Sequence, residues 1–283
     1  MAKRIDGKAI SAEIRVELKE QTAQFCAEHG YAPGLAVIIV GENPASMVYV
    51  RNKKKGCEEV GFYSEVHELP EATTQAELNA LVDQLNADEK IHGILVQLPL
   101  PKHLDETEVL LRIDPSKDVD AFHPYNVGKI MIGDYDFLPC TPAGVMALLE
   151  RSGIDPAGKK CVVIGRSNIV GKPMSMLLLH ANGTVTVCHS RTKDLAAVTR
   201  EADILVVAIG RADFVGADMV KPGAVVIDVG MNRRADGKLT GDVDFDAVEP
   251  IASAITPVPG GVGPMTITML LQNTLTAAKK AAK

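Results

Sequence analysis

The sequence predicts an α/β protein of two domains with a cleft between them. Short apolar runs rich in β-branched residues alternate with helical patterns in both halves of the chain, and a looser stretch rich in Pro, Gly and Asp separates the halves between residues 114 and 136. Strands that alternate with helices form a parallel sheet that is covered on both faces. The 283 residues suit two domains of ordinary size.

The first half predicts a parallel sheet flanked by helices. A helical pattern over 11–29 precedes a strand over 35–41, and a second helix (45–61), a strand (64–69), a third helix (74–86) and the apolar run GILVQLPLP (93–101) follow. Thr74 and Glu77 have the spacing of a capping box, which marks the start of the third helix. We therefore expect an N-terminal α/β domain over residues 1–138.

The second half begins with a helix near Thr141 and continues with a second alternating series. Its strand candidates are CVVIG, TVTVCH, ILVVAIG, AVVIDVG and SAITPV. We expect these segments to form a second domain over 139–263. Residues 264–283 have a helical pattern, and we expect this last helix to pack on the N-terminal domain.

Composition and charge argue against several classes of protein. The net charge is −6 and only 4% of the residues are aromatic, so the basic footprint and aromatic platforms of nucleic-acid binders are missing. No apolar run approaches the ~20 residues of a membrane-spanning helix, and the first residues are too acidic for a targeting peptide, so we expect a cytoplasmic protein. The cysteines form no C-x-x-C and the histidines no H-E-x-x-H, which predicts reduced thiols and no metal site.

The stretch CVVIGRSNIVGKPM (residues 161–174) has the strand–turn–helix pattern of a dinucleotide-binding unit with altered glycines. The fingerprint G-x-G-x-x-G would place glycine at 165, 167 and 170, where the sequence has Gly165, Ser167 and Val170. Gly165 can serve the turn, Ser167 permits fairly close approach of a phosphate, and Gly171 can supply the tight packing. A turn that binds nothing is the alternative.

The end of the following strand indicates which dinucleotide would bind. NAD enzymes carry an acidic residue about 20 positions after the loop, but residues 185–191 contain neither Asp nor Glu. Ser190, Arg191 and Thr192 lie there instead, and Arg166 lies in the loop. Arginine and hydroxyl groups suit a phosphate dianion. We interpret the domain as Rossmann-like and NADP-binding, the alternative being a solvated turn with an incidental arginine.

The helix candidate ASMVYVRNKKKGCEEVG (residues 45–61) carries three lysines that are not equivalent. At about 100° per residue, Ser46, Tyr49 and Lys53 share one face, whereas Lys54 and Lys55 point elsewhere. A lysine beside an aromatic ring in a cleft could do acid–base chemistry, provided that burial lowers its pKa. The alternative is a solvated helix surface.

Polar residues at two further places are candidate ligand contacts. Gln97 interrupts an apolar strand just before its carboxyl end, where ligands of open α/β sheets gather. Asp114, Asp118 and Asp120 lie in the connector, where a carboxylate could grip a polar heterocycle or could simply form a turn. A packed structural glutamine is the alternative for Gln97.

The segment PVPGGVGPMT (residues 257–266) is a third candidate contact. Its prolines stiffen a loop in which Gly260, Gly261 and Gly263 would let the backbone approach a ligand closely. A plain turn between domains is the alternative.

These segments together resemble one family. YVRNKKKGCEEVG, GILVQLPLP, KDVDAFHPYNVG, PCTP, VVIGRSNIVGKPM, VIDVGMN, GDV and PVPGGVGPMT resemble, in this order, the motifs of the bifunctional methylenetetrahydrofolate dehydrogenase/methenyltetrahydrofolate cyclohydrolases. The likeness covers nearly the whole chain. Ala121 departs from the family, which usually has glycine there, and this concerns the local backbone rather than Asp120.

The resemblance implies two reactions. NADP⁺ takes a hydride from the one-carbon bridge of 5,10-methylenetetrahydrofolate, and water then opens the resulting methenyl cation to 10-formyltetrahydrofolate. It implies that Lys53 is the key residue of the hydrolysis, with Gln97 as its hydrogen-bonding partner. Tyr49 would stack on and orient the substrate, Asp120 would anchor the pterin ring, and a homodimer is implied.

The resemblance also implies the remaining contacts. Those to the substrate would come from Ser46, Pro259, Gly260 and Gly261, and those to NADP from Gly165, Arg166, Ser167, Ser190 and Met231. Two other functions stay open at this point. One is a monofunctional NADP-dependent dehydrogenase of another small substrate, with Lys53 as a proton donor beside a carbonyl. The other is a non-catalytic NADP-binding module, which would bind the cofactor without turning over any folate.

Overall fold

The computed structural model describes residues 2–283, without the side chain of Ala45. The strands are β1 (Lys3–Arg4), β2 (Gly34–Val40), β3 (Tyr63–Leu69), β4 (Gly93–Val96), β5 (Lys160–Ile164), β6 (Thr184–Cys188), β7 (Ile204–Val207), β8 (Val225–Asp228), β9 (Asn232–Arg233), β10 (Leu239–Thr240) and β11 (Ala254–Ile255). The helices are α1 (Gly7–His29), α2 (Pro44–Val60), α3 (Gln75–Ala87), α4 (Glu106–Arg112), α5 (Pro124–Ile132), α6 (Cys140–Arg151), α7 (Gly171–His180), α8 (Leu195–Thr199), α9 (Phe245–Val248) and α10 (Val262–Ala281).

The chain divides into two compact units. The three-stranded unit comprises residues 13–138 and 267–283, and the six-stranded unit comprises residues 2–12 and 139–266 of the described chain. The sequence analysis placed the residues before 13 in the first domain, whereas the structure places residues 2–12 in the six-stranded unit. The physical reason is a parallel pairing of Lys3 with Ala254 and of Arg4 with Ile255, which makes β1 the last strand of that unit's sheet.

The three-stranded unit is built on the parallel sheet β3–β2–β4. Every residue of the central strand β2 is buried, as expected for an apolar strand covered on both faces. One core cluster joins Ile38 of β2 to Ile94 of β4 and to Leu78 of α3. The capping box of α3 is confirmed: Thr74 Oγ1 accepts the Glu77 N–H at 3.3 Å, and the Glu77 carboxylate accepts the Thr74 N–H at 2.8 Å.

The six-stranded unit contains the parallel sheet β1–β11–β8–β7–β5–β6. The chain order reverses at β5, which has β6 on one side and β7 on the other. This is the arrangement of a Rossmann-like domain, and it opens a crevice at the carboxyl ends of the strands where the order reverses. The predicted α/β fold with a parallel sheet in each half is thereby confirmed.

The connector is more ordered than its composition suggested. The predicted loose stretch 114–136 contains α5, in which His123 Nδ1 accepts the Tyr125 N–H at 3.1 Å and Pro124 occupies the first turn. Gly133 ends the helix in the left-handed conformation. The sequence analysis missed α5 because Pro, Gly and Asp were interpreted as loop residues. Proline at the start and glycine after the end are also the normal helix boundaries.

Ala121 adopts a left-handed conformation with a φ of 57° and is fully buried. Replacing it by glycine relieves about 1–2 kcal/mol of backbone strain. The same change loses about 0.8 kcal/mol of methyl burial and about 0.5–1 kcal/mol through unfolded-chain entropy. We therefore expect Ala121→Gly to keep the unfolding free energy within about 1 kcal/mol of the wild type.

Ala121→Val should destabilise the protein by roughly 2–3 kcal/mol, because a β-branched residue tolerates this backbone poorly and overpacks a buried site. Urea unfolding of both variants measures the difference. Ala80→Val, on the exposed face of α3, is the control for adding a valine. Equal unfolding midpoints for Ala121→Val and the wild type would contradict the assigned backbone strain.

The cysteines are free thiols, and Cys57, Cys140, Cys161 and Cys188 are buried whereas Cys26 is partly exposed. Burial raises the pKa of the Cys57 thiol to about 12. Within residues 2–283, no cluster of His, Cys, Asp and Glu side chains is arranged to hold a metal ion. No helix in the described part of the chain combines the length and apolar character needed to cross a membrane.

Candidate functional site

Helix α2 places Ser46, Tyr49 and Lys53 on one face of the three-stranded unit. Asn43 Oδ1 accepts the Ser46 N–H at 3.2 Å and so fixes the start of the helix. Ser46 is buried, Tyr49 is half-buried, and only 8% of Lys53 is exposed. Lys54 and Lys55 are exposed. The three lysines are therefore as unequal as the helical spacing predicted.

Lys53 Nζ donates a hydrogen bond to Gln97 Oε1 at 2.9 Å. The Gln97 backbone N–H donates to the Ile38 carbonyl at 2.8 Å, which ties the residue to the end of the sheet. Its side-chain Nε2 donates to the Leu98 carbonyl at 2.8 Å, so the amide oxygen must be the atom that faces Lys53. An amide carries no net charge, so its oxygen can accept this hydrogen bond from either the neutral amine or the ammonium form of Lys53.

The pair lies where ligands bind in open α/β sheets. Gln97 follows β4 and Lys53 lies on the helix that follows β2, and the chain order of the sheet reverses between these strands. The crevice outside the carboxyl ends of strands at such a reversal is the general ligand position. Burial raises the pKa of the nearby Tyr49 phenol, so its hydroxyl stays protonated and can donate a hydrogen bond at neutral pH.

Two of the three connector aspartates have local structural roles. The Asp114 carboxylate accepts the Ser116 N–H at 2.8 Å in a turn. The buried Asp118 accepts the His123 N–H at 2.8 Å and the Asn126 side-chain amide at 2.8 Å, and burial raises its pKa. These hydrogen bonds support the structural interpretation of Asp114 and Asp118, which was the alternative to a ligand contact. Asp120 is half-buried and follows Val119, whose carbonyl accepts the Asn273 amide at 2.8 Å.

A groove of about 1190 Å³ lies at the other end of the same sheet. Tyr31, Tyr63 and His92 are among the residues that line it, and they precede or begin the strands rather than follow them. No residue of the predicted site lines this groove in the described part of the chain. The groove is therefore separate from the candidate site at Lys53 and Gln97.

The loop Pro259–Gly261 packs against the start of α1 within the six-stranded unit. The Gly260 carbonyl accepts the Lys8 N–H at 3.0 Å. A Cβ atom on Gly7 would lie 1.8 Å from the Gly261 carbonyl oxygen. The loop backbone is thus held in place at its glycines, and the Pro259 ring is exposed.

The loop between β5 and α7 has the close packing expected of a phosphate-binding turn. A Cβ atom on Gly171 would lie 2.3 Å from the Gly165 carbonyl oxygen, and one on Gly165 would lie 2.3 Å from the Ala208 carbonyl oxygen. Gly171 therefore fills the packing role that Val170 cannot. Ser167 Oγ accepts the N–H groups of Val170 at 3.1 Å and Gly171 at 3.3 Å, which leaves its hydrogen to donate to a ligand.

Arg166 and Ser190 follow neighbouring strands at the same edge of the sheet. The last residues of β5 and β6, Ile164 and Cys188, are paired, and the two candidates each lie two residues further on. Both are exposed. Thr192 has a structural role, because its Oγ1 accepts the His189 N–H at 2.9 Å. A guanidinium and a hydroxyl at this edge suit the phosphate of a dinucleotide.

The aspartates of VIDVGMN and GDV were missed by sequence reasoning, which assigned them no role. Asp228 and Asp242 are buried and accept hydrogen bonds from backbone N–H groups of three loops. Burial raises the pKa of Asp228 to about 7. Met231 follows Asp228 and is 45% exposed, and its methyl group would lie 2.9 Å from a Cβ atom on Gly263. The sequence signal that could have identified Asp228 is a carboxylate at the end of an apolar strand.

Fold and site together define a dinucleotide-binding α/β enzyme whose other unit presents a lysine–amide pair at a ligand-binding sheet edge. Two family models match the chain: the tetrahydrofolate dehydrogenase/cyclohydrolase catalytic domain over residues 5–120 and the NAD(P)-binding domain of the same family over residues 139–282. The chain belongs to the tetrahydrofolate dehydrogenase/cyclohydrolase family.

Individual relatives agree with the family models. The bifunctional protein FolD of Moorella thermoacetica is 63% identical over 276 residues, which cover 98% of each chain. The crystal structure of the bifunctional FolD of Campylobacter jejuni matches with a TM-score of 0.96 at 55% identity, over 99% of both chains. The Trypanosoma brucei enzyme, complexed with NADP cofactor and an inhibitor, matches with a TM-score of 0.95 at 43% identity, over 100% of this chain and 99% of that one.

The predicted family and its pair of activities are thereby confirmed. The chain is a bifunctional dehydrogenase and cyclohydrolase of tetrahydrofolate derivatives with a nicotinamide dinucleotide site. A monofunctional dehydrogenase of an unrelated substrate and a non-catalytic module are both set aside, because each family domain is matched along its length and the relatives are bifunctional.

Proposed function

We propose that the chain oxidises 5,10-methylenetetrahydrofolate with NADP⁺ and hydrolyses the methenyl product to 10-formyltetrahydrofolate, with Lys53 and Gln97 as the hydrolytic centre. The observation that carries the proposal is the 2.9 Å hydrogen bond between the buried Lys53 amine and an uncharged amide. The partner of Lys53 in this bond is an amide rather than a carboxylate, so the bond itself does not require the ammonium form. As a neutral amine, Lys53 has a lone pair with which to accept a proton.

The hydrolysis needs one water and one proton acceptor. Water adds to the cationic methenyl carbon while the Lys53 amine accepts one of its protons. The carbon–N5 bond then breaks as N5 takes up one proton and becomes the ring amine. The hydroxyl proton is lost as the formyl carbonyl forms, and the formyl group stays on N10. One proton is released for each methenyl cation hydrolysed. Gln97 accepts a hydrogen bond from Lys53 throughout and so orients the amine.

The remaining side chains of the three-stranded unit would bind the folate. The half-buried Tyr49 offers an aromatic face for stacking and a protonated hydroxyl for orientation. The Asp120 carboxylate would accept hydrogen bonds from the pterin amino and ring N–H groups. Ser46 lies on the same helical face as Tyr49 and Lys53, which supports a substrate contact. The loop Pro259–Gly261 would contribute backbone contacts.

The dehydrogenase reaction depends mainly on position. When bound, the cofactor supplies the hydride acceptor, and hydride loss produces a cation that needs no oxyanion stabilisation. The chain's part is to hold the dinucleotide. Gly165 and Ser167 would bind the pyrophosphate, Arg166 and Ser190 the 2′-phosphate, and the Met231 backbone would lie near the nicotinamide. The guanidinium, the hydroxyl groups and the close glycine packing fit such a ligand.

NADP rather than NAD is the cofactor that these residues favour. Residues 185–191, which include the end of β6 and the turn after it, contain no carboxylate that could accept a hydrogen bond from a ribose 2′-hydroxyl. A carboxylate at that place would also repel a phosphate, whereas Arg166 attracts it. Two spectrophotometric assays test the proposal. The rate of methylenetetrahydrofolate oxidation is compared with NADP⁺ and with NAD⁺, and hydrolysis is followed as loss of the methenyl absorbance band. Faster turnover with NAD⁺, or no methenyl hydrolysis, would contradict it.

The proposal includes a cytoplasmic homodimer. The family to which the chain belongs is typically dimeric. Strand β6 is an edge of its sheet and exposes Val187, so a second copy has unpaired backbone groups on which to dock. Light scattering after size exclusion gives the mass of the particle in solution. A mass of one chain at micromolar concentration would contradict the dimer.

A further inference from the structure

We infer that Asp242, together with Asp228, is a positioning residue for hydride transfer. The Asp242 side chain is fully buried, and its carboxylate accepts three successive backbone N–H groups: Ile209 at 2.7 Å, Gly210 at 3.0 Å and Arg211 at 2.8 Å. Converging N–H groups of this kind form a nest that binds an anion. The protein fills this nest with its own carboxylate.

Asp228 is the second buried carboxylate of this arrangement. Only 3% of it is exposed, and it accepts the N–H groups of Gly230, Asp242 and Val243, each at 2.9 Å. The Asn232 amide adds a bond to Asp242 at 2.8 Å. The two carboxylates thus receive six backbone bonds from residues of three short loops and one side-chain bond from Asn232, the first residue of β9.

The three loops are those that follow β7, that follow β8 and that surround Asp242. The first two emerge from the carboxyl ends of neighbouring parallel strands, and β7 in turn lies next to β5, where the strand order reverses. The first also contacts the phosphate-binding turn, because a Cβ atom on Gly165 would lie 2.3 Å from the Ala208 carbonyl oxygen. The second carries Met231. The carboxylates therefore fix the backbone on which the nicotinamide half of the cofactor would rest.

Fixing this backbone matters for rate more than for affinity. Hydride transfer requires the reacting atoms to be held within a fraction of an ångström, and small displacements lower kcat strongly. Cofactor affinity would come largely from the phosphates, which are bound by the loops after β5 and β6. The inference rests on the proposed function, because it assumes that this unit holds NADP for the dehydrogenase reaction.

Asp242→Asn tests the inference in the full chain. The asparagine keeps the shape but turns an amide N–H₂ toward donors that need an acceptor. We expect kcat of the dehydrogenase to fall by about 10- to 100-fold, from the range for an unsatisfied buried donor. Binding of NADP, measured by calorimetry, should weaken by less than about 3-fold, since the phosphate contacts remain.

The second activity supplies an internal reference. Hydrolysis of added methenyltetrahydrofolate, assayed without cofactor, should stay within about 2-fold of the wild type, because Lys53 and Gln97 belong to the other unit. Asp203→Asn is the matched control. Asp203 accepts the Lys160 N–H at 2.9 Å at the amino-terminal end of the same sheet, and its replacement should leave kcat unchanged.

Gly210→Ala keeps the inference testable if Asp242→Asn does not fold. Gly210 has a φ of 65°, and a Cβ atom there would meet nothing within 4 Å, so the change acts on the nest's backbone alone. We expect the same pattern of a lower kcat with little change in NADP binding or hydrolysis. A parallel loss of all three quantities, or an unchanged kcat, would overturn the inference. A wild-type chain without dehydrogenase activity would instead overturn the proposed function.

Discussion

Lys53→Gln should abolish hydrolysis of methenyltetrahydrofolate while some oxidation of methylenetetrahydrofolate remains. A positioned proton acceptor contributes about 10²- to 10⁴-fold to such a reaction, and glutamine cannot replace the amine in this role. Glutamine can still hydrogen-bond to Gln97, so no unpaired buried charge is left behind. Hydride transfer needs no proton acceptor at this position and should survive in part.

The loss is measured as the rate of decay of the methenyl absorbance band, with NADPH formation followed in a separate assay. Lys54→Gln is the matched control, because it removes a lysine from the next, exposed position of the same helix. It should leave both rates within about 2-fold of the wild type, as is usual for an exposed position. Wild-type hydrolysis by Lys53→Gln would refute the assigned role.

The double replacement Arg166→Ala and Ser190→Ala should weaken NADP binding by about 10- to 100-fold and change NAD binding little. Hydrogen bonds to a charged group contribute about 1.5–3 kcal/mol each, and exposure of both residues reduces this value through solvent and salt. NAD lacks the 2′-phosphate, so it has no contact to lose at this edge.

Titration of each cofactor by calorimetry at fixed salt concentration measures the ratio of the two affinities. Arg200→Ala is the control for removing a positive charge from the same unit, since its guanidinium donates to the Asp218 carbonyl at 2.8 Å, away from the glycine loop. Its effect on the NADP-to-NAD ratio should be negligible. Equal losses of affinity for both cofactors in the double variant would show that neither residue binds the 2′-phosphate.

Much of the fold was predictable because its signals are local. Continuous apolar runs marked the buried parallel strands, and the spacing of Thr74 and Glu77 marked the start of α3. The strand β1 was not predictable in this way. It has two residues, and its partners lie some 250 positions away in the chain, so no local periodicity reports the pairing.

The candidate site was predictable in its residue types but not in its contacts. Helical spacing separated Lys53 from Lys54 and Lys55, whereas its bond to Gln97 joins residues that only the fold brings together. Asp114, Asp118 and Asp120 looked alike in the sequence, and the local hydrogen bonds of Asp114 and Asp118 became visible only in the fold. Asp228 and Asp242 were overlooked because their burial depends on three loops. The cleft between the domains and the catalytic roles stay predictions.

The distribution of the thiols has a practical consequence for spectroscopy. Of the five cysteines, Cys26 alone is partly accessible, and the others are sealed inside the two units. Burial raises the pKa of Cys57 to about 12, which keeps it as an unreactive thiol at neutral pH. A maleimide dye should therefore attach at Cys26 of the native wild-type protein. Fluorescence titrations of the labelled protein with folates would then not require a variant from which the other four cysteines have been removed.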